Sequence, residues 1–171
     1  PVLSCGEPIP LQARKRPPVI PSRVDYAQTN GTYFVQDVYE GPGLKGVAKG
    51  SIEKLRVVAI DFRAAPVGNT KSKGEAGGSY NSTPVSVGNA TWDPKTILGE
   101  ATVHADGSAM FYAPANTPLY FQCIDTNGQV AATMRSWSTL MPGERFGCVG
   151  CHEDKMNTPP PTKTTMAMRQ K

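Results

Sequence analysis

The five residues Cys148-Val149-Gly150-Cys151-His152 constrain what this chain can fold into more than any other part of its sequence. Two thiols three residues apart can add to the two vinyl groups of one porphyrin, and the imidazole that follows can reach the iron. The pattern is the attachment signature of a c-type haem, and it is specific, because the chain contains only four Cys and two His residues. The sequence therefore predicts one covalent haem on Cys148 and Cys151, with His152 as an iron ligand.

Two other interpretations of the same residues stay open. Cys148 and Cys151 could form a structural or redox disulfide, with His152 beside them by accident. They could also supply half of a zinc site that is completed by His152 and by Cys5 or Cys123, since zinc binds Cys and His at such spacings. Zinc binding by adjacent residues such as Cys151 and His152 requires some backbone contortion, which favours haem.

Length and composition indicate one domain built mainly from short strands. A chain of 171 residues can form one domain with a real core, and its 17 Gly and 16 Pro residues favour turns over long helices. No segment approaches the roughly 20 consecutive apolar residues that a membrane helix needs. The chain starts at Pro1 without a signal-peptide pattern, so we expect a mature product or an excised piece.

Charge is concentrated at the two ends of the chain. The net charge is +4, and the basic residues of 1–23 and of 155–171 flank a slightly acidic body. A nucleic-acid reader needs a basic face with interleaved aromatic residues, and the sequence has none, so no nucleic-acid partner is expected. The predicted division is a Pro-rich leader or linker over 1–23, a β-rich haem-binding domain over 24–155 and a flexible tail or linker over 156–171.

The strand predictions come from alternating apolar residues and from two turn signals. Residues 32–39 and 51–62 have the β-branched and aromatic content of strands, and 63–85 is a long polar loop. Ala-Asp-Gly and Thr-Asn-Gly predict two hairpins, whose strands are 101–104 with 108–112, and 118–125 with 129–134. The final segment, 136–154, is predicted to leave the sheet. The expected fold is mainly β, a β-sandwich-like domain with long loops and a C-terminal haem-attachment segment.

Several other residues are candidates for contacts with a haem. His104 is a candidate sixth ligand, although a strand histidine with no such role is the commoner case. A thioether could serve instead. Cationic partners for haem propionates and aromatic packing for a porphyrin face are also present. These candidates are Met110, Met134 and Met141 for the thioether, Arg135 and Arg145 for the propionates, and Trp137 and Tyr112 for the packing.

The two remaining cysteines have less certain roles. Cys123 falls in an alternating strand and is most simply a buried small apolar residue, whereas Cys5 lies in the irregular leader. Outside the cytoplasm the two could pair, or they could bind zinc jointly with His152.

The C-terminal third of the chain resembles a known family. The segments 133–137 (TMRSW), 141–144 (MPGE) and 148–153 (CVGCHE) are similar to the middle domain of the hydrazine synthase alpha subunit and its wider set of relatives. Looser similarity extends over roughly residues 8–154. The resemblance implies a β-rich domain between a β-propeller-like domain and a further cytochrome-type domain in one exported polypeptide. It also implies covalent haem at Cys148 and Cys151.

One position departs from the hydrazine-forming member of that family. There the motif His binds zinc and a Tyr four residues later binds the haem iron, whereas the corresponding residue here is Met156. Met156 is too near His152 to reach the opposite face of a haem easily. Either His152 binds the iron in the ordinary way or the site is repurposed, and hydrazine synthesis is not favoured.

The sequence therefore favours a periplasmic or extracellular haem domain for one-electron transfer. Its partner would be a redox protein or a further haem domain in the same polypeptide. A haem enzyme with an open iron face and a zinc-binding structural domain are the alternatives.

Overall fold

The computed structural model describes residues 10–60, 95–154, 156–161 and 163–169. Within these ranges the chain forms seven strands, a single 3-10 turn at Pro42–Leu44 and one short helix. The elements are β1 Asn30–Val35, β2 Ile52–Ile60, β3 Lys95–Thr102, β4 Ala109–Pro114, β5 Leu119–Asp125, β6 Val130–Thr133, β7 Arg145–Cys148 and α1 Met166–Arg169. No helix in the described part of the chain is both long enough and apolar enough to cross a membrane.

The strands form two sheets that pack face to face. One sheet has the order β4-β1-β7 and the other has the order β3-β2-β5-β6. Neighbouring strands are antiparallel except for β1 and β7, which run parallel. The predicted mainly β architecture with two packed sheets is confirmed.

Aromatic side chains fill the space between the sheets. Tyr33 of β1 is fully buried, stacks on Phe111 of β4 at 5.6 Å between ring centroids and meets Phe121 of β5 edge-on at 5.0 Å. Such pairs contribute about 0.5–1.5 kcal/mol each beyond the burial of their area. The cluster joins β1 and β4 of one sheet to β5 of the other, so it fixes how the two sheets face each other.

The hairpin predicted over 118–134 is confirmed. β5 and β6 pair antiparallel, and the Gly128 N–H donates to the Asp125 carbonyl at 3.0 Å, with Gly128 at φ +76°. The Asp125 carboxylate also accepts from the backbone N–H of Asn127 at 2.9 Å. The strand predicted over 51–62 appears as β2, and the long loop predicted over 63–85 lies outside the described residues.

The hairpin predicted over 101–112 is right about the turn and wrong about the pairing. Gly107 has φ +82° and its N–H donates to the His104 carbonyl at 2.8 Å. β3 then pairs with β2, whereas β4 pairs with β1 in the opposite sheet. The chain changes sheets here because Ser108 and Ala109 are both fully buried, and their burial places β4 beside β1 instead of beside β3.

The prediction that residues 136–154 leave the sheet is also wrong. β7 lies within this segment and extends the first sheet beside β1, with Val35 opposite Cys148. A parallel neighbour so far along the chain leaves no local turn signal, because parallel strands are never joined by a short hairpin. The predicted strand over 32–39 is shorter in the structure, where β1 ends at Val35.

The segment predicted to be a flexible tail contains α1, which packs against the β3–β4 turn. Thr165 and Ala167 are buried. The Asp106 carboxylate accepts from the Met166 N–H at 2.7 Å, and it accepts from the Ser108 N–H and hydroxyl at 3.1 and 2.6 Å. Burial raises the pKa of Asp106, but these hydrogen bonds outweigh that effect and hold the pKa below its ordinary value of 3.8. The ionised carboxylate therefore stabilises the docked segment.

We predict that Asp106→Ala releases residues 163–169 from the domain. A hydrogen bond to a charged group is worth about 1.5–3 kcal/mol, so tryptic cleavage after Lys163 should become at least about tenfold faster at neutral pH. Because the folded pKa is lowered, the stabilisation is present above the ordinary pKa and is lost as pH falls through the folded one. In the unsubstituted chain the amide resonance of Ala167 should shift in that acidic range. Glu53→Ala, at an exposed side chain, is the control; equal cleavage in both variants would contradict the prediction.

Candidate functional site

Cys148, Cys151 and His152 line one cavity of about 470 Å³. Its volume falls within the range of about 300–1,000 Å³ that is usual for cofactor and small-molecule sites. Strands of both sheets supply its apolar floor, and the segment after β6 supplies much of its rim. The floor includes Tyr33, Val35, Leu55 and Phe121, and the rim includes Met134, Arg135, Trp137 and Phe146.

Backbone hydrogen bonds hold the motif segment against the chain that follows β1. The Gln36 N–H donates to the Cys148 carbonyl at 2.9 Å, and the Asp37 N–H donates to the Val149 carbonyl at 3.2 Å. The Cys151 N–H donates in turn to the Val38 carbonyl at 3.3 Å. Residues 36–38 therefore continue the pairing of β1 along the motif after the regular strand has ended. These hydrogen bonds fix the positions of both cysteines in the cavity lining.

Glycines make the closest contacts between the motif and residues 40–44, which we call the loop of the 3-10 turn. A side chain on Gly43 would place its Cβ 2.5 Å from the His152 Cβ and 2.7 Å from the Cys151 carbonyl oxygen. A Cβ on Gly41 would collide with the His152 carbonyl oxygen, and one on Gly150 would collide with the Glu40 carbonyl oxygen. Gly41 also has φ +92°. The loop therefore clamps the backbone of the motif at distances that only glycine allows.

His152 has an unusual backbone conformation. Its φ is +134°, which a residue with a side chain rarely adopts, and such a residue costs on the order of 1–3 kcal/mol unless its surroundings enforce it. The contact with Gly43 and the hydrogen bond of the preceding residue supply that enforcement. The imidazole is exposed at the rim of the cavity, where it is accessible for binding.

The two motif thiols are half-buried and stay protonated at neutral pH. Burial and the negative charge of Glu153 raise the pKa of Cys148 to about 11. The hydrogen bond with Cys123, together with burial and neighbouring negative groups, raises the pKa of Cys151. Neutral thiols suit an apolar cavity, because a buried thiolate would need a cation or a metal to stabilise it.

Cys123 lies at the site, beside the motif as the zinc alternative required, whereas the simplest sequence interpretation made it only a buried small apolar residue. It is only 3% exposed, as expected for an inward-facing position of β5, but its Sγ lies 3.4 Å from the Sγ of Cys151. The available signal is the alternation of β5, which puts Leu119, Phe121 and Cys123 on one face of the strand. That face is the floor of the cavity.

The structure brings some of the other candidates to the cavity and leaves others away from it. Met134, Arg135 and Trp137 line it together with the motif. His104 lies at the β3–β4 turn, half-buried and away from the cavity lining. Four more candidates do not line the cavity either, and all are exposed: Met110, Met141, Arg145 and Tyr112. Cys5 lies outside the described residues.

A metal site is not formed by the described part of the chain. Within residues 10–60, 95–154, 156–161 and 163–169, no three His, Cys, Asp or Glu side chains are grouped so that they could hold a metal ion. Cys123 and Cys151 are in contact, but His152 does not join them in such a group, so the described residues alone do not assemble the zinc set suggested by the spacing.

The geometry defines a class of protein, a two-sheet β domain with a Cys-x-x-Cys-His segment. The segment begins at the end of the edge strand β7, which pairs parallel with β1, and it lines an apolar cavity between the sheets. Residues 50–153 match the family model described as the hydrazine synthase alpha subunit middle domain. The chain belongs to this family, and the resemblance expected from the motif segments is confirmed.

Comparisons with individual proteins agree. The chain is 26% identical over 110 residues to hydrazine synthase subunit alpha of Kuenenia stuttgartiensis, a match that covers 63% of this chain and 14% of that protein. A solved structure of Kuenenia stuttgartiensis hydrazine synthase has the same fold, with a TM-score of 0.61 and 23% identity. That match covers 83% of this chain and 20% of the other. The chain therefore corresponds to one domain within much longer proteins.

We predict that Gly43→Ala displaces His152. The added methyl group would overlap the His152 Cβ and the Cys151 carbonyl, so the free energy of unfolding should fall by about 1–3 kcal/mol. The imidazole resonances of His152 should shift in the NMR spectrum. Gly147→Ala is the matched control, because its Cβ would meet nothing nearer than the Phe34 ring at 4.0 Å. Unchanged His152 resonances in Gly43→Ala would show that the clamp does not set the position of the imidazole.

Proposed function

We propose that this domain binds one haem covalently through Cys148 and Cys151 and serves in one-electron transfer, as part of a larger exported protein. One observation carries the proposal: both thiols and the imidazole of the attachment signature line a single cavity between the two sheets. The three residues belong to the Cys-x-x-Cys-His motif, which is the attachment signature of c-type haem.

The chemistry of the cavity fits the group. Its floor is apolar, as a porphyrin ring requires, and the indole of Trp137 and the ring of Phe146 lie at its rim. Arg135 is a cation at the same rim and can pair with the propionates, which need such partners where they are shielded from water. The neutral thiols are in the protonation state in which an S–H bond can add across a vinyl group.

Each residue then has a definite role. A bound haem would supply one-electron exchange at its iron. Cys148 and Cys151 would tether the group, His152 would bind its iron, and Arg135 would balance the charge of its propionates. Met134 is the candidate for a second iron ligand, because among the three methionines considered it alone lines the cavity. A thioether ligand raises the reduction potential relative to a second imidazole.

Electron transfer is preferred over hydrazine chemistry because of Met156. This residue occupies the position that resembles the iron-binding Tyr of the hydrazine-forming member. Its side chain is 92% exposed and does not line the cavity. With Met134 and His152 both in the cavity lining, the domain itself could supply two ligands to the iron. A redox partner protein or a further haem domain of the same polypeptide would then receive the electron, in the periplasm or outside the cell.

The first prediction from this proposal concerns covalent attachment. Expressed in cells that contain the c-type attachment machinery, the chain should carry the mass of one haem after denaturation. Cys151→Ala should reduce doubly attached haem to none, while the fold, measured by far-UV circular dichroism, is retained. The control Met141→Ala leaves the cavity lining untouched and should keep the haem. An intact mass equal to the bare polypeptide in the unsubstituted chain, even when a dithiol reductant is present during haem loading, would refute the proposal.

The second prediction concerns the axial ligands. The haem-loaded chain should show a low-spin visible spectrum, because His152 and Met134 would both bind the iron. Met134→Ala should remove one iron ligand and give a high-spin spectrum that changes when cyanide or imidazole is added. With imidazole bound, this variant should have a lower reduction potential than the unsubstituted chain. Met141→Ala should leave the spectrum unchanged. A high-spin spectrum before any substitution would point instead to an enzyme with an open iron face.

A further inference from the structure

We propose that Cys123 and Cys151 form a disulfide in the haem-free chain, and that this disulfide withholds Cys151 from haem attachment. The first part of this proposal is independent of the proposed function, whereas the second part rests on it. Cys123 would then be the residue that makes haem loading depend on the redox state around the domain.

The geometry of the two sulfurs supports the bond. They lie 3.4 Å apart, and a disulfide bond length is about 2.05 Å, so only a small approach is needed. Cys123, Cys148 and Cys151 are all free thiols in the structure. Of the three, Cys123 and Cys151 are the pair whose sulfurs are joined by a hydrogen bond in the described part of the chain.

The two cysteines differ in how firmly the fold holds them. Cys123 is in the middle of β5, with Leu55 of β2 opposite it on one side and Ala132 of β6 on the other. Cys151 lies in the turn after β7, outside the sheet; its backbone is held by Val38 and by the contact with Gly43, but rotation about its Cα–Cβ bond can still move its sulfur. A fixed sulfur and an adjustable sulfur can reach disulfide geometry without moving the sheet.

The cavity gives an oxidant access to the pair. Both sulfurs lie in the cavity lining, and the exposed side chains of Arg135, Trp137 and His152 form part of its rim. A small disulfide such as glutathione disulfide can therefore approach Cys151 from the rim and react with the small fraction of this thiol that is ionised. Cys123, which is almost completely buried, then attacks the mixed disulfide from inside the protein.

The oxidation is a thiol–disulfide exchange between the protein and the small disulfide. The two thiols lose two protons and two electrons, the Cys123–Cys151 bond forms, and the S–S bond of the oxidising disulfide is reduced to two thiols. A dithiol reductant reverses the step. While the bond exists, Cys151 has no S–H to add across a vinyl group, and only Cys148 remains for attachment.

The linkage is tested on the purified haem-free chain. It is incubated with glutathione disulfide, the remaining thiols are blocked with N-ethylmaleimide, and the unreduced protein is digested for mass spectrometry. We expect a peptide pair joined through Cys123 and Cys151 to predominate, to persist in Cys148→Ser and to disappear in Cys123→Ala. A predominant link between Cys148 and Cys151, or between Cys5 and Cys123, would overturn the proposal.

The consequence is tested by haem loading in cells with the attachment machinery. Without added reductant, Cys123→Ala should carry several-fold more doubly attached haem than the unsubstituted chain, and a dithiol reductant should remove the difference. Cys123→Ser serves as a second variant if alanine at this buried position lowers the amount of folded protein. Equal loading without reductant would refute the withholding of Cys151. Absence of haem from every variant, even with reductant, would instead refute the proposed function and leave the mapped disulfide standing.

Discussion

The parallel pairing of β7 with β1 is the interaction on which the rest of the site depends. It places Cys148 opposite Val35, and the hydrogen bonds from Gln36 and Asp37 carry the pairing on to Val149. Without β7 at the edge of the sheet, the motif would be a loop whose position relative to the core was not fixed. With it, both cysteines face the space between the two sheets, and the aromatic cluster around Tyr33 closes that space from below.

The loop of the 3-10 turn adds a second constraint from the solvent side. Gly41, Gly43 and Gly150 allow two backbones to approach more closely than side chains would permit. This close approach holds His152 in a conformation that the residue would not adopt by itself. Such a backbone conformation persists only where the surrounding structure enforces it. Residues strained in this way cluster at functional sites.

Much of the fold and part of the site follow from local sequence signals. Several features depend only on neighbouring residues, and each was predicted: the turn at Asp125–Gly128, the apolar run of β2, the alternation of β5 and the motif itself. The sheet exchange after Gly107 and the return of β7 to β1 were not, because both depend on pairing between residues far apart in the chain. Local patterns show that a residue is in a strand, but they do not specify which strand lies beside it.

The sequence by itself determined the chemistry available to this protein: two thiols and an imidazole at the spacing of haem attachment, in a chain that forms short strands and belongs to a recognisable family. Only the tertiary structure decided which other residues meet that motif. It brought Met134, Arg135 and Cys123 to the cavity and left His104 and Met110 elsewhere. The physical reason is that burial and strand pairing, rather than distance along the chain, set which side chains share a cavity.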